Sequence, residues 1–73
     1  TSYAQALARR EELGLRARTV REALAGDADA SAAMASLAEQ SQGLLEARPT
    51  DLTRLEALVQ AQETFARMMG VRL

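Results

Sequence analysis

Apolar residues recur along this chain at alternating steps of three and four, and the pattern breaks near Gly26 and again near Pro49. Steps of three and four place side chains on one face of an α-helix, which is the arrangement that packs one helix against another. The alphabet, dominated by Ala, Leu, Arg, Glu and Gln, also favours helix. The sequence therefore predicts an all-α fold with helices at about residues 2–25, 30–47 and 51–69.

Each predicted helix carries its own apolar stripe, with a few polar members. The stripe of the third helix is the widest and that of the second, built largely from alanine, is the smallest. The stripes are Tyr3, Ala6, Arg10, Leu13, Ala17, Val20 and Leu24; then Ala30, Met34, Leu37, Ser41 and Leu44; then Leu52, Leu55, Val59, Gln62, Ala66 and Met69, broadened by Leu58 and Phe65. Short turns between such helices favour an antiparallel hairpin plus a third helix, a small three-helix bundle.

Local signals predict how the helices end. Gly26 follows the last periodic residue of the first helix, where a left-handed residue commonly closes a helix. Asp27, Asp29 or Ser31 would cap the start of the second helix, because a side-chain oxygen there can accept a free N–H group.

Pro49, the only proline, marks the second corner. Proline disfavours the helical conformation of the residue before it, so the second helix should end at Arg48. Thr50 is the expected cap of the third helix, with Asp51 in its first turn, and Gly70 is the expected stop.

A chain of 73 residues forms one domain at most, and we treat residues 1–73 as a single module. A domain this small buries only about 60% of its unfolded surface, and such folds usually need disulfides, a metal, a partner or very regular packing. The sequence contains neither Cys nor His, which removes disulfides and the usual zinc sites. We therefore expect oligomerisation or a partner to complete the bundle.

The same absences bear on catalysis. Without an imidazole or a thiol, the chain has no activated nucleophile and no base other than its carboxylates. We therefore expect a non-enzymatic protein with no catalytic residue, no cofactor and no metal.

Charge argues against general binding to nucleic acid, because the net charge is −1 and such binding depends on basic residues that neutralise phosphates. All nine basic residues are Arg, a bias typical of a GC-rich, bacterial genome. The arginines of the first helix surround it and alternate with glutamates. Expected ion pairs at i,i+4 spacing are Glu12 with Arg16, Arg18 with Glu22, and Glu63 with Arg67.

One segment, Gln62-Glu63-Thr64-Phe65-Ala66-Arg67-Met68-Met69-Gly70-Val71, resembles the first helix and turn of a helix-turn-helix domain of the phage-repressor/antitoxin type. The resemblance covers about ten residues, and Ala61 stands where that family usually has Ser or Thr. It implies a DNA-binding regulator, or a fragment of one, in which a recognition helix would follow and enter the major groove.

The favoured function is a helical protein–protein interaction module that self-associates or binds a partner helix. An alternative is a small chaperone or adaptor that masks a secreted or regulatory protein. The predicted partner-binding residues are Leu55, Leu58, Val59, Phe65, Met68 and Met69, with Leu13, Val20 and Leu24 as the facing set. No apolar run is long enough to span a bilayer, so we expect no membrane contact and a cytoplasmic location.

Overall fold

A computed structural model describes residues 2–73, which form three helices: α1 (Tyr3–Ala23), α2 (Ala28–Ala47) and α3 (Thr53–Met68). The predicted all-α class is confirmed, and each helix end lies within two residues of its predicted position. Every helix contacts the other two. Among residues 2–73, no helix combines the length and the apolar character needed to cross a membrane.

The α1–α2 corner closes differently from the prediction. Gly26 does not adopt the left-handed conformation, so that prediction is wrong. The free carbonyls are satisfied without it, since Leu24 O accepts the N–H of Asp27 at 3.0 Å and the hydroxyl of Ser31 at 2.7 Å. Asp27 caps α2 by accepting the N–H of Ala30 at 3.0 Å, as one of the three predicted alternatives.

The α2–α3 corner is formed by Arg48 and the residues around Pro49. Arg48 takes a left-handed conformation with φ of 51°, because the following proline disfavours the helical one. Thr50 does not cap α3, contrary to the prediction; Leu52 occupies the cap position. Asp51 accepts both the N–H of Thr53 at 3.0 Å and its hydroxyl at 2.7 Å, so the carboxylate one residue later performs the predicted role.

Contacts between side chains give the helix directions. Arg9 pairs with Glu56 and Arg16 with Glu63, both across 47 positions, so α1 and α3 run in the same direction. On α2, by contrast, an early residue and a late one meet the opposite ends of α3, since Met34 clusters with Ala66 and Leu44 packs near Leu55. Thus α2 runs antiparallel to both neighbours.

The core consists of two apolar clusters at opposite ends of the helices. One holds Val20, Leu24, Ala30, Met34 and Ala66, with Leu37, Phe65 and Val71 packed on it; the other holds Leu13, Leu55 and Val59, with Ala17, Leu44, Leu45 and Leu52. Two of the polar members of the predicted stripes, Ser41 and Gln62, are also buried, at 2% and 1% exposure. The three- and four-residue periodicity therefore identified most of the inward faces, whereas the end members Tyr3 and Met69 are exposed.

Candidate interaction surface

The structure divides the predicted partner-binding residues into two groups. Six of them are buried inside the single chain, with exposed fractions of 0–9%: Leu13, Val20, Leu24, Leu55, Leu58 and Val59. Leu13 does face Leu55 and Val59 in one cluster, but within the same molecule. That these six contact a partner stays a prediction, and it requires the three helices to separate.

Phe65, Met68 and Met69 are the predicted residues that reach the surface. Met68 is 81% exposed and Met69 is 49% exposed, whereas Phe65 is half-buried against the cluster that contains Ala66. These three positions are therefore accessible to another molecule without any change in fold.

Met68 belongs to an outer face of α3, which we define as Ala57, Gln60, Ala61, Thr64, Phe65 and Met68. These residues line a shallow depression of about 450 Å³. At about 100° per residue, positions 57, 61, 64 and 68 lie within about 60° of one another, on the side of α3 opposite the core. None of the six residues carries a charge. Positions 57, 61, 64 and 68 follow one another at steps of four, three and four, which is the spacing of side chains that pack one helix against another.

Sequence reasoning found Phe65 and Met68 but missed the rest of the outer face. Ala57, Ala61 and Thr64 are small, so they do not stand out in a search for large apolar residues. The available signal was the absence of charge from Ala57 to Met68 at successive steps of four, three and four. This uncharged series begins after Arg54, and the other charged residues of α3 lie off it, namely Glu56, Glu63 and Arg67.

The charges of α3 lie on its flanks, and two of them bind α1. Arg16 donates from Nε to Glu63 Oε2 at 2.9 Å and from a terminal nitrogen to Glu63 Oε1 at 2.5 Å. This two-point bond lowers the pKa of Glu63 and raises that of Arg16. The side chain of Glu63 is only 12% exposed, so the pair lies at the edge of the core.

A second pair repeats the first one seven residues earlier on each helix. Arg9 Nε lies 2.7 Å from Glu56 Oε1, and Glu12 lies 3.1 Å from another nitrogen of Arg9. The hydrogen bond from Arg9 to Glu56 is the main reason that the pKa of Arg9 is raised. The predicted pairs Glu12–Arg16 and Glu63–Arg67 do not form as ion pairs within 4.0 Å, because the helix–helix pairs take their members. Only the predicted pair of Arg18 with Glu22 forms, at 3.1 Å.

The end of α3 is the turn on which the helix-turn-helix resemblance depends. Gly70 has φ of 83°, its N–H bonds Arg67 O at 3.0 Å, and the N–H of Val71 bonds Ala66 O at 3.0 Å. This is the Schellman closure, in which the residue after the glycine packs back on the helix. Gly70 is thus confirmed as the stop, and Val71 packs on the core.

A larger cleft of about 460 Å³ lies where α1 and α3 begin, since these two parallel helices start at the same end. Arg9, Asp51 and Glu56 are its charged lining residues. Arg9 and Glu56 bind each other, and the Asp51 carboxylate is occupied by Thr53, whose hydrogen bonds lower the pKa of Asp51. Within residues 2–73, no three acidic side chains converge in a way that could hold a metal ion.

The chain was compared with protein-family models, curated proteins and solved structures. No protein-family model, no curated protein and no solved structure matches the chain. Functional inference therefore rests on the residues of the chain and their arrangement.

Proposed function

We propose that this chain is a non-enzymatic helical interaction module that self-associates through the outer face of α3. The observation that carries the proposal is Met68, which is 81% exposed at the end of an uncharged helical face. A fully buried methionine contributes about 1.5–3 kcal/mol relative to an exposed one. Burying the Met68 side chain against another helix would therefore stabilise an assembly. In the single chain this side chain stays exposed and contributes little burial.

The outer face has a pattern that fits a second copy of itself. In an antiparallel pair of α3 helices related by a two-fold axis, position 57 lies opposite position 68 and position 61 opposite position 64. Ala57 then leaves room for Met68 of the second copy, and Ala61 meets Thr64. A two-fold interface repeats each contact twice, so this single match of a small residue with a large one supplies both ends of the interface.

Charge on the flank of α3 agrees with that orientation. When each residue adds 100° and position 54 is set at 0°, Glu56 lies at about 200° and Arg67 at about 220°. The two residues therefore lie on the same side of the helix. In an antiparallel pair, residues that face each other have numbers with a constant sum, as 57 and 68 or 61 and 64 do. The numbers 56 and 67 have nearly the same sum, so Arg67 of one copy comes close to Glu56 of the other. The approach of Arg67 to Glu56 on the rim favours this antiparallel register, with Glu56 shared between Arg67 of the second copy and Arg9 of its own chain.

The expected dimer is weak. Six residues per copy line the outer face, whereas stable interfaces bury about 800 Å² and 20–30 residues on each side. We therefore expect association in the micromolar to millimolar range. Such a dimer would pack the three helices of a second copy against the outer face of α3.

The test is sedimentation equilibrium over a concentration series from about 1 μM to 1 mM, with helicity measured on the same samples. We expect the mean mass of the wild type to rise toward twice the monomer mass, and Met68→Glu to remain monomeric and helical. Leu15→Glu is the matched control, because Leu15 is 64% exposed on α1 and takes no part in the outer face. It should associate like the wild type.

A second substitution keeps the test independent of Met68. Ala57→Glu places a charge opposite Met68 in the antiparallel register and should abolish association as well. A wild type that stays monomeric at 1 mM would exclude self-association. A stable one-to-one complex with another protein through the same face would then support the chaperone or adaptor alternative.

DNA binding is the remaining candidate, favoured by the Gly70 turn. Three of the five arginines of α1 argue against it, since Arg9, Arg16 and Arg18 each bind a glutamate. Titration of labelled duplex DNA at 50 mM salt separates the two functions, because phosphate contacts are strongest at low salt. No binding under that condition would exclude the DNA-binding function.

A further inference from the structure

Gln62 is a polar side chain enclosed between the two apolar clusters, with 1% exposure. Its amide nitrogen lies 2.9 Å from Ser41 Oγ, 3.3 Å from Leu58 O and 3.4 Å from Leu37 O. Backbone carbonyls can only accept hydrogen bonds, so these contacts fix which end of the amide is the nitrogen. The oxygen, Gln62 Oε1, must point elsewhere.

Gln62 Oε1 receives no hydrogen bond from the side chains and backbone of residues 2–73. Among those residues, Arg10 Nε is the one fully enclosed side-chain nitrogen or oxygen without a partner. Gln62 Oε1 is therefore not sealed by protein atoms but open to adjoining space. Gln62 lines a cavity of about 100 Å³ to which all three helices contribute.

The cavity exists because small residues meet where the helices cross. Gly14 and Ala17 of α1 and Ala38 of α2 form part of its wall, and Arg18 and Arg21 stand among its lining residues. A Cβ on Gly14 would lie 3.6 Å from the side chain of Leu45, which is ordinary contact, so Leu45 bounds the space there and the glycine leaves room for about one methyl group. The space is thus bounded and has a polar floor.

We propose that this cavity is a specific site for ordered water, with Gln62 Oε1 as its principal acceptor. A water molecule occupies about 30 Å³ of liquid and needs two to four polar partners, so a cavity of about 100 Å³ holds about three. Ser41 Oγ donates to Ala38 O at 3.0 Å and accepts from Gln62, and Arg18 and Arg21 are the charged residues in the lining of the cavity. Water completes the hydrogen bonding of the polar layer and links the three helices at their middle.

The test is nuclear magnetic resonance of the ¹⁵N-labelled protein, which detects long-lived water near individual amide protons. We expect cross-peaks between water and the side-chain amide protons of Gln62, with the sign of water bound for longer than molecular tumbling. Gln60 is the matched control, since it has the same amide group exposed on the outer face of α3. Equal signals from Gln60 and Gln62 would overturn the proposal.

A substitution provides the second readout. Ala38→Leu fills the cavity and should remove the Gln62 cross-peak while α-helicity is retained, whereas Ala35→Leu, at an exposed position of the same helix, should leave it unchanged. A crystal structure in which Arg18 or Arg21 donates directly to Gln62 Oε1 would also overturn the proposal. The comparison of Gln60 with Gln62 in the unsubstituted protein remains decisive if Ala38→Leu does not fold.

Discussion

The pair of Arg16 with Glu63 gives a stability effect whose size and pH dependence both follow from its geometry. Glu63→Gln keeps the shape of the side chain but removes the charge that receives two hydrogen bonds, at 2.9 and 2.5 Å. Hydrogen bonds to charged groups contribute about 1.5–3 kcal/mol. The Arg16 side chain is 33% exposed, and solvent screening reduces that value, so we expect a loss of roughly 1–2 kcal/mol.

Urea unfolding at pH 7 measures this loss. For a chain of this size the dependence on urea is about 1 kcal/mol per molar, so the midpoint should fall by roughly 1–2 M. Glu39→Gln is the control, because Glu39 is exposed on α2 and has no ion pair among residues 2–73. It changes the net charge equally and should shift the midpoint little.

The sign of the pH effect follows from the lowered pKa of Glu63. The pKa of a glutamate in the unfolded chain is about 4.3, and the pKa of Glu63 in the folded protein lies below that value. The stabilisation is therefore fully present above the unfolded pKa and is lost as pH falls through the folded one. Wild type and Glu63→Gln should differ at pH 7, and the difference should shrink as the pH falls below the unfolded-state pKa of the glutamate. A difference that persists unchanged at pH 3, or one no larger than that of Glu39→Gln, would refute the assignment of the pair.

Three further substitutions should change thermal stability in directions set by local geometry, each measured by calorimetry against the wild type. Gly43→Ala should raise stability by about 0.5–1 kcal/mol, since Gly43 lies inside α2 and a Cβ there meets nothing within 4 Å. Gly70→Ala should lower it by about 1–2 kcal/mol, because φ of 83° is unfavourable for a residue with a Cβ. Arg10→Met should raise it by roughly 1 kcal/mol, since it removes a buried nitrogen that lacks a hydrogen-bond partner; an unchanged or lower melting temperature would contradict this.

The helices and their inward faces could be predicted because both depend on short-range pattern. Periodicity alone placed Ser41 and Gln62 on buried faces, although neither is apolar, and Pro49 fixed the end of α2 through its effect on Arg48. The predictions for Gly26 and Thr50 failed for a common reason. At both corners a nearby side chain satisfies backbone groups at the helix end, since Ser31 donates to Leu24 O and Asp51 accepts the N–H of Thr53.

The contacts between α1 and α3 could not be predicted in the same way. Arg16 has a potential partner four residues away in Glu12, and the sequence offers no reason to prefer Glu63 across 47 positions. The choice depends on helix register, which is a property of the packed core. The sequence contains one indication of this helix register. Arg9 and Arg16 are seven residues apart, and so are their partners, Glu56 and Glu63.

This register also accounts for the character of the outer face. Glu56 and Glu63 point along the flank where α1 lies, and the apolar seam of α3 faces the core. From Ala57 to Met68 the side opposite the core carries no charge, although Arg54 precedes it by one turn. An exposed helical face ordinarily carries charged residues, as the outer sides of α1 and α2 do with Glu11 and Glu39. Folding of the single chain does not require Met68 to be apolar, because its side chain is 81% exposed. Burial against a second copy, as proposed above, would use the apolar character of Met68, and replacing it by glutamate should leave the monomer folded while abolishing that contact.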